Sequence, residues 1–217
     1  MKRLMVIFLW TLAGATGAWA QSAKINPEVQ FYLMGGMKGF APKPFNREES
    51  VSPAWVPTLG AGALYQLKHI QVGMEFNYLD GKKDTDEFGS ILTGINANIL
   101  AGYRWSIGSR AKLSLQTGFA YSLHHLAVTD NHYSGSDRLN TTVFHNLSVA
   151  VPVSLLIQRV SPSGLFTGLK VVYHVAVGAN SWRYMEGHQT EVYTSGVDGL
   201  FFQLVFGGLL TLKPQKG

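Results

Sequence analysis

Ser122 and His124 stand two residues apart, the spacing that puts a hydroxyl and an imidazole on one face of a strand. With His174 they raise the possibility of acyl transfer, in which an imidazole activates a serine. That chemistry needs a base held within reach of the nucleophile, and no acid is fixed nearby by spacing. His124, His125, Asp130 and His132 have the right residue types for a metal site, but their spacing matches no recognised ligand pattern. The sequence therefore calls for no catalytic centre, no metal and no cofactor. Two further groups stand out. Glu75 lies in a segment otherwise free of charge, and Lys170 in another. Trp182, Arg183, Tyr184 and Tyr133 are aromatic and arginine side chains of the kind enriched at contact surfaces.

The elements that position these residues all read at a period of two. In Ile70 to Tyr78, the positions Ile70, Val72, Met74, Phe76 and Tyr78 are apolar, and Gln71, Gly73, Glu75 and Asn77 lie between them. A period of about 3.6 would mix the two classes. The same alternation runs through Ile91 to Trp105, Lys112 to His124, Val143 to Ile157, Leu165 to Val177 and Leu200 to Leu212. It is weaker in Val29 to Gly35 and Leu59 to Leu67. That makes eight strands. Most are longer than the five or six residues usual in soluble sheets, and charge is crowded into the connections.

The connections alternate in length. Lys68-His69, Ser106 to Arg110 and Gln158 to Gly164 are short. Met37 to Ala54, Leu79 to Ser90, His125 to Thr141 and Gly178 to Asp198 are long and polar. Transmembrane barrels have short periplasmic turns and long outer loops, so both termini fall on the periplasmic side. With that orientation Tyr65, Tyr103 and Trp105 form a lower aromatic belt. Phe76, Tyr78, Phe119, Tyr121, Tyr173 and Phe202 form an upper one. Pro152 is out of place inside a central strand and predicts a bulge or weak pairing. In a barrel Glu75 points inward at the height of Lys170. A lone buried carboxylate is costly, which predicts an interior polar cluster of Glu75 and Lys170 with Arg104 and Lys112 below.

Composition agrees. The chain is 46% hydrophobic and only 14% charged, which suits a protein whose outside faces lipid. Residues 1–20 have the three parts of a secretory signal: Lys2 and Arg3, an apolar run from Leu4 to Leu12, and Ala18-Trp19-Ala20 before Gln21. The expected domain is then 21–217. The formal charge of +5 owes two cations to this signal, and an exported chain meets no nucleic acid. The absence of cysteine excludes disulfides, thiolate metal sites and a cysteine nucleophile.

With this pattern the chain resembles the small outer-membrane barrels of the OmpX and OmpA type, and the Bacteroidetes outer-membrane β-barrels including the PorT-like group. The residues carrying the resemblance are the Ala18-Trp19-Ala20/Gln21 junction, the eight segments, and the last strand from Phe202 to Leu212. That strand is similar to the signal read by the barrel assembly machinery, with Leu212 in place of a terminal aromatic. The resemblance implies an all-β, eight-stranded antiparallel up-and-down transmembrane barrel in the outer membrane, porin-like in build, inserted by that machinery. Its partners would be outer-membrane lipid and lipopolysaccharide, and a protein at the cell surface or in the envelope. Small barrels that remove acyl chains from lipid A carry His-x-Ser on a strand. The only such triplet here, His132-Tyr133-Ser134, falls in a connection, so the expectation is a non-enzymatic barrel acting through its long outer loops, with a narrow channel through the barrel as the alternative and a lipid-modifying enzyme behind it.

Overall fold

The computed structural model describes residues 27–40, 55–86, 88–130, 141–177, 181–186, 189–194 and 199–212. The signal segment and Tyr133 lie outside them. Ten strands are described: β1 (Glu28–Phe40), β2 (Trp55–Leu67), β3 (Ile70–Asp84), β4 (Phe88–Ile107), β5 (Ala111–Asp130), β6 (Thr141–Val160), β7 (Leu165–Ala176), β8 (Ser181–Glu186), β9 (Gln189–Thr194) and β10 (Gly199–Thr211). Eight of them form the wall. β1 to β7 pair in sequence order, β10 pairs with β7, and β1 pairs with β10 from Glu28↔Thr211 to Phe40↔Gly199. Every pairing is antiparallel, so the sheet closes on itself without an edge in the wall.

The side-chain alternation explains why this sequence closes. Residues such as Ile99, Leu204, Leu59 and Phe119 are more than half exposed on the outer face. Their neighbours Asn98, Gln203 and Thr58 are buried inside. An apolar outside around a polar inside is stable only in hydrocarbon. All nine belt residues named above are exposed on the outer wall. In the lower belt Tyr103 lies 4.8 Å from Trp105 between centroids and stacks on His69 at 5.2 Å. No helix among the described residues is long and apolar enough to cross a membrane.

All four expected long connections hold strand that the sequence did not suggest, the first because β1 runs past Met37 to Phe40. β3 runs to Asp84 and β4 starts at Phe88, so Leu79 to Ser90 is mostly strand. The turn is held by Thr85, whose hydroxyl donates to the Phe88 carbonyl at 2.9 Å and accepts from its N–H at 3.1 Å. Lys82 to Asp84 extend the wall, and the Lys83 ammonium lies over the Phe88 ring. β5 likewise continues to Asp130. The segment Gly178 to Asp198, read as a loop, holds the β8–β9 hairpin. The reason is the unequal length of its neighbours. β6 has 20 residues and β7 only 12, so β7 stops opposite Ala150. The edge of β6 left open above it is taken by β8 at Phe144↔Tyr184, His145↔Arg183 and Asn146↔Trp182.

Pro152 makes no bulge. The β5–β6 register is unchanged on both sides of it, from Thr117↔Val153 to Ala120↔Ala150, but the pairing between them is interrupted. Of the two effects expected, the missing N–H weakens the ladder without shifting it. Gly118 sits at the same break, close against β4. A Cβ there would lie 1.8 Å from the Ile99 carbonyl oxygen.

Replacing Ile99 by arginine should lower the unfolding free energy in lipid by about 2–4 kcal/mol, the cost of a cation on a lipid face at mid-membrane. Lys82→Ala should change it by less than about 0.5 kcal/mol. Urea unfolding in phosphatidylcholine vesicles measures both, and equal effects would remove the case for a lipid-facing wall.

Candidate functional site: the lumen

The inward side chains fall into successive tiers. At the periplasmic mouth Glu28 contacts Arg104 and lies 3.7 Å from Lys112. Above it a belt of glutamines goes round the barrel. Gln158 donates to Gln30 at 3.2 Å and Gln30 to Gln66 at 3.5 Å. Gln71 donates to the same Gln66 oxygen at 3.3 Å, and Gln116 to Gln71 at 3.3 Å. Ser154, on the same strand β6 as Gln158, donates to Gln116 at 3.1 Å. An amide both donates and accepts, so one residue type can pass a hydrogen bond from strand to strand without burying charge.

Next to this belt lies an apolar tier of Tyr32, Met34, Leu64, Leu156, Phe166 and Val205, all buried. Tyr32 meets Phe166 edge-on at 6.3 Å. The Tyr32 hydroxyl reaches up to the charged centre. It donates to Glu75 Oε1, which also receives Lys170 Nζ, while Asn98 donates to Oε2 at 3.4 Å. Gln203 donates to Asn77 at 2.6 Å alongside. Glu75 and Lys170 are fully buried. Four strands thus supply the carboxylate and its three donors, and such a pair is sustained only when its remaining hydrogen-bond capacity is met in this way.

The outer mouth is closed by a second apolar tier: Val56, Leu79, Leu92, Leu126, Phe144, Val172, Trp182 and Phe201. His124 lies beneath Trp182 at 6.4 Å between centroids. His174 packs on Phe201 at 4.8 Å, and the Lys38 ammonium sits over the same ring.

The four expected interior residues therefore divide into two groups. Glu75 and Lys170 meet in mid-lumen, whereas Arg104 and Lys112 join Glu28 at the mouth. Strand geometry separates them. Asn98, the cross-strand partner of Glu75, and Arg104 are about 20 Å apart along β4. Glu28 was missed because it precedes the segment read as β1. The glutamine belt was missed because its members lie on five strands with no shared spacing.

Trp182, expected at a contact surface, is buried, because pairing with Asn146 turns it to the inner face. Arg183 is exposed on the outside. Tyr184 lies in β8, with its side chain outside the described residues. Ser122 and His124 do share the inner face of β5, but the Ser122 hydroxyl accepts from Asn96 Nδ2 at 2.5 Å. His124 and His125 point to opposite sides of the wall.

Lys170→Met should cost about 3–5 kcal/mol by stranding the Glu75 charge, and adding Glu75→Gln should recover a large part of that loss. A double-mutant cycle by urea unfolding in vesicles measures the coupling, and additive losses would count against the pair as a unit.

No family model and no curated protein matches the sequence. Solved structures do. The outer membrane protein OprG from Pseudomonas aeruginosa is similar over 83% of this chain and 95% of its own, with a TM-score of 0.53 at 13% identity. A major outer membrane protein from Thermus thermophilus is similar over 85% of this chain and 99% of its own, with a TM-score of 0.51 at 11% identity. At these identities the likeness is one of fold. The closed antiparallel wall, the apolar exterior and this likeness agree: the chain has the fold of the small bacterial outer-membrane barrels, and its place is the outer membrane.

Proposed function

We propose that the protein is a non-enzymatic outer-membrane barrel that acts at its outer end, by binding a partner or by stiffening the cell surface. The observation that carries this reading is the filled lumen. From the periplasmic side a solute would meet the Glu28 ion pairs, the glutamine belt, an apolar tier, the Glu75–Lys170 pair and a second apolar tier. An eight-stranded barrel is just wide enough for side chains to fill, and these successive tiers lie across it. Ion passage would require breaking the buried pair and lifting Trp182.

What remains for contact is the outside. The upper aromatic belt suits lipid and lipopolysaccharide, and the β8–β9 hairpin with exposed Arg183 suits an extracellular or envelope protein. The final strand suits recognition by the barrel assembly machinery during insertion. The hydroxyl of Ser122 and the imidazole of His124 lie inside the sealed lumen, away from lipid, which argues against an acyl-transfer role.

In planar bilayers the folded protein should give no conductance above leak, and Glu75→Ala should not create one. Cells producing it should show lipid A of unchanged mass. Steady single-channel currents abolished by Glu75→Ala would replace this reading with a channel, and a lipid A mass shift lost in His124→Ala would replace it with an enzyme.

A further inference from the structure

On the outer wall β5 and β6 place two histidines directly opposite one another. His125 pairs with His145 in the ladder, and both side chains face out. The rings stand at 88° with centroids 4.7 Å apart, and their Nδ1 atoms approach to 2.6 Å. Two nitrogen lone pairs cannot face each other this closely with nothing between them. Either a proton on one ring is donated to the other, or a cation accepts from both.

The height of the pair bears on which cations reach it. The outward run on β5 from Leu113 to Leu123 covers about 25 Å along the barrel axis, the height of a lipid-facing band. His125 is the next outward residue, so the pair sits at the outer headgroup boundary, open to ions from the medium. Across the ladder from His125 is Thr93 on β4, and across from His145 is Arg183 on β8. These neighbours supply a hydroxyl and a cation but no carboxylate. The protein therefore offers two imidazole ligands, and water or a headgroup oxygen completes the set.

The bite selects the geometry. With metal–nitrogen bonds of about 2.0–2.1 Å, two imidazoles at a right angle have nitrogens about 2.9 Å apart, and at a tetrahedral angle about 3.3 Å. The observed separation lies on the short side, nearer the right angle. Nitrogen ligands at right angles suit tetragonal copper(II) and nickel(II), and copper(II) binds the more tightly of the two. Both rings must then carry their proton on Nε2, so the Nδ1 proton of the donor ring moves through solvent to its own Nε2. We propose that His125 and His145 form a two-imidazole chelate for a tetragonal divalent metal, copper(II) foremost, on the outer rim of the barrel. The partners are 20 residues apart in sequence, which is why no motif marks them.

The test is copper(II) titration of the full mature chain, folded in detergent and followed by electron paramagnetic resonance. The expected result is one equivalent bound at micromolar affinity, with a tetragonal spectrum showing coupling to two nitrogens. His125→Ala and His145→Ala should each weaken binding by at least about tenfold while the folded band on unheated gels persists. His125→Gln, which keeps a polar side chain at the strand position, guards against a folding defect and should weaken binding equally. His69→Ala and His132→Ala should leave binding unchanged. A spectrum unaltered by His125→Ala and His145→Ala, coupling to a single nitrogen, or no binding at about 100-fold above micromolar copper would overturn the proposal.

Discussion

Hydrocarbon offers no partner to a backbone N–H or C=O, and each group left open there costs several kcal/mol. The wall of this protein answers that constraint by closure. β1 and β10, the first and last strands of the wall, pair along the whole length of β1. Without that seam the sheet would have two open edges in lipid. The other wall features follow from it. Strands must be long enough to cross, side chains must alternate to suit lipid on one side and a narrow lumen on the other, and connections must lie outside the membrane. Pro152 shows the tolerance of the arrangement. One interrupted stretch is accepted where the neighbouring register holds on both sides.

The lumen is the second consequence. A closed eight-stranded wall leaves a space that polar side chains must fill, and each of them has to be satisfied there. The chain meets much of this need with two kinds of chemistry. Amides are used where a hydrogen bond must pass between strands, as in the glutamine belt. Charge is placed where several donors converge, as at Glu75, or where solvent is near, as at Glu28, and Lys38 adds a buried cation against Phe201 in the outer tier. One apolar tier lies between the belt and the Glu75 centre, and a second closes the outer mouth. This arrangement also fixes register, since sliding β1 or β3, each of which contributes to both, would take its members out of the belt and out of the charged centre together.

Much of this was legible in the sequence because strand alternation is local. Ile70 to Tyr78 declares its two faces within nine residues, and that alternation puts Glu75 inside and Phe76 outside. What was not legible depends on the third dimension. Nothing in Gln30, Gln66, Gln71, Gln116 and Gln158 taken singly announces a ring, because the ring exists only after five strands are set in register. The β8–β9 hairpin was hidden for a different reason. Its strands are short and polar, and they form where β7 ends early and leaves an edge of β6 to be covered. Trp182 went with it. Its direction is set by pairing with Asn146, which no local pattern in a segment read as a loop could reveal.

That mismatch between β6 and β7 bears on how such a protein can change over time. The hairpin contributes Trp182 to the outer tier, but its strands take no part in the ring of eight. Insertions, deletions and substitutions can accumulate in it so long as an apolar cap survives, and membrane insertion is not put at risk. The wall is held fixed by lipid on one side and by its own contents on the other. The short seventh strand therefore leaves room for change at one end of the barrel, separate from the wall that has to close.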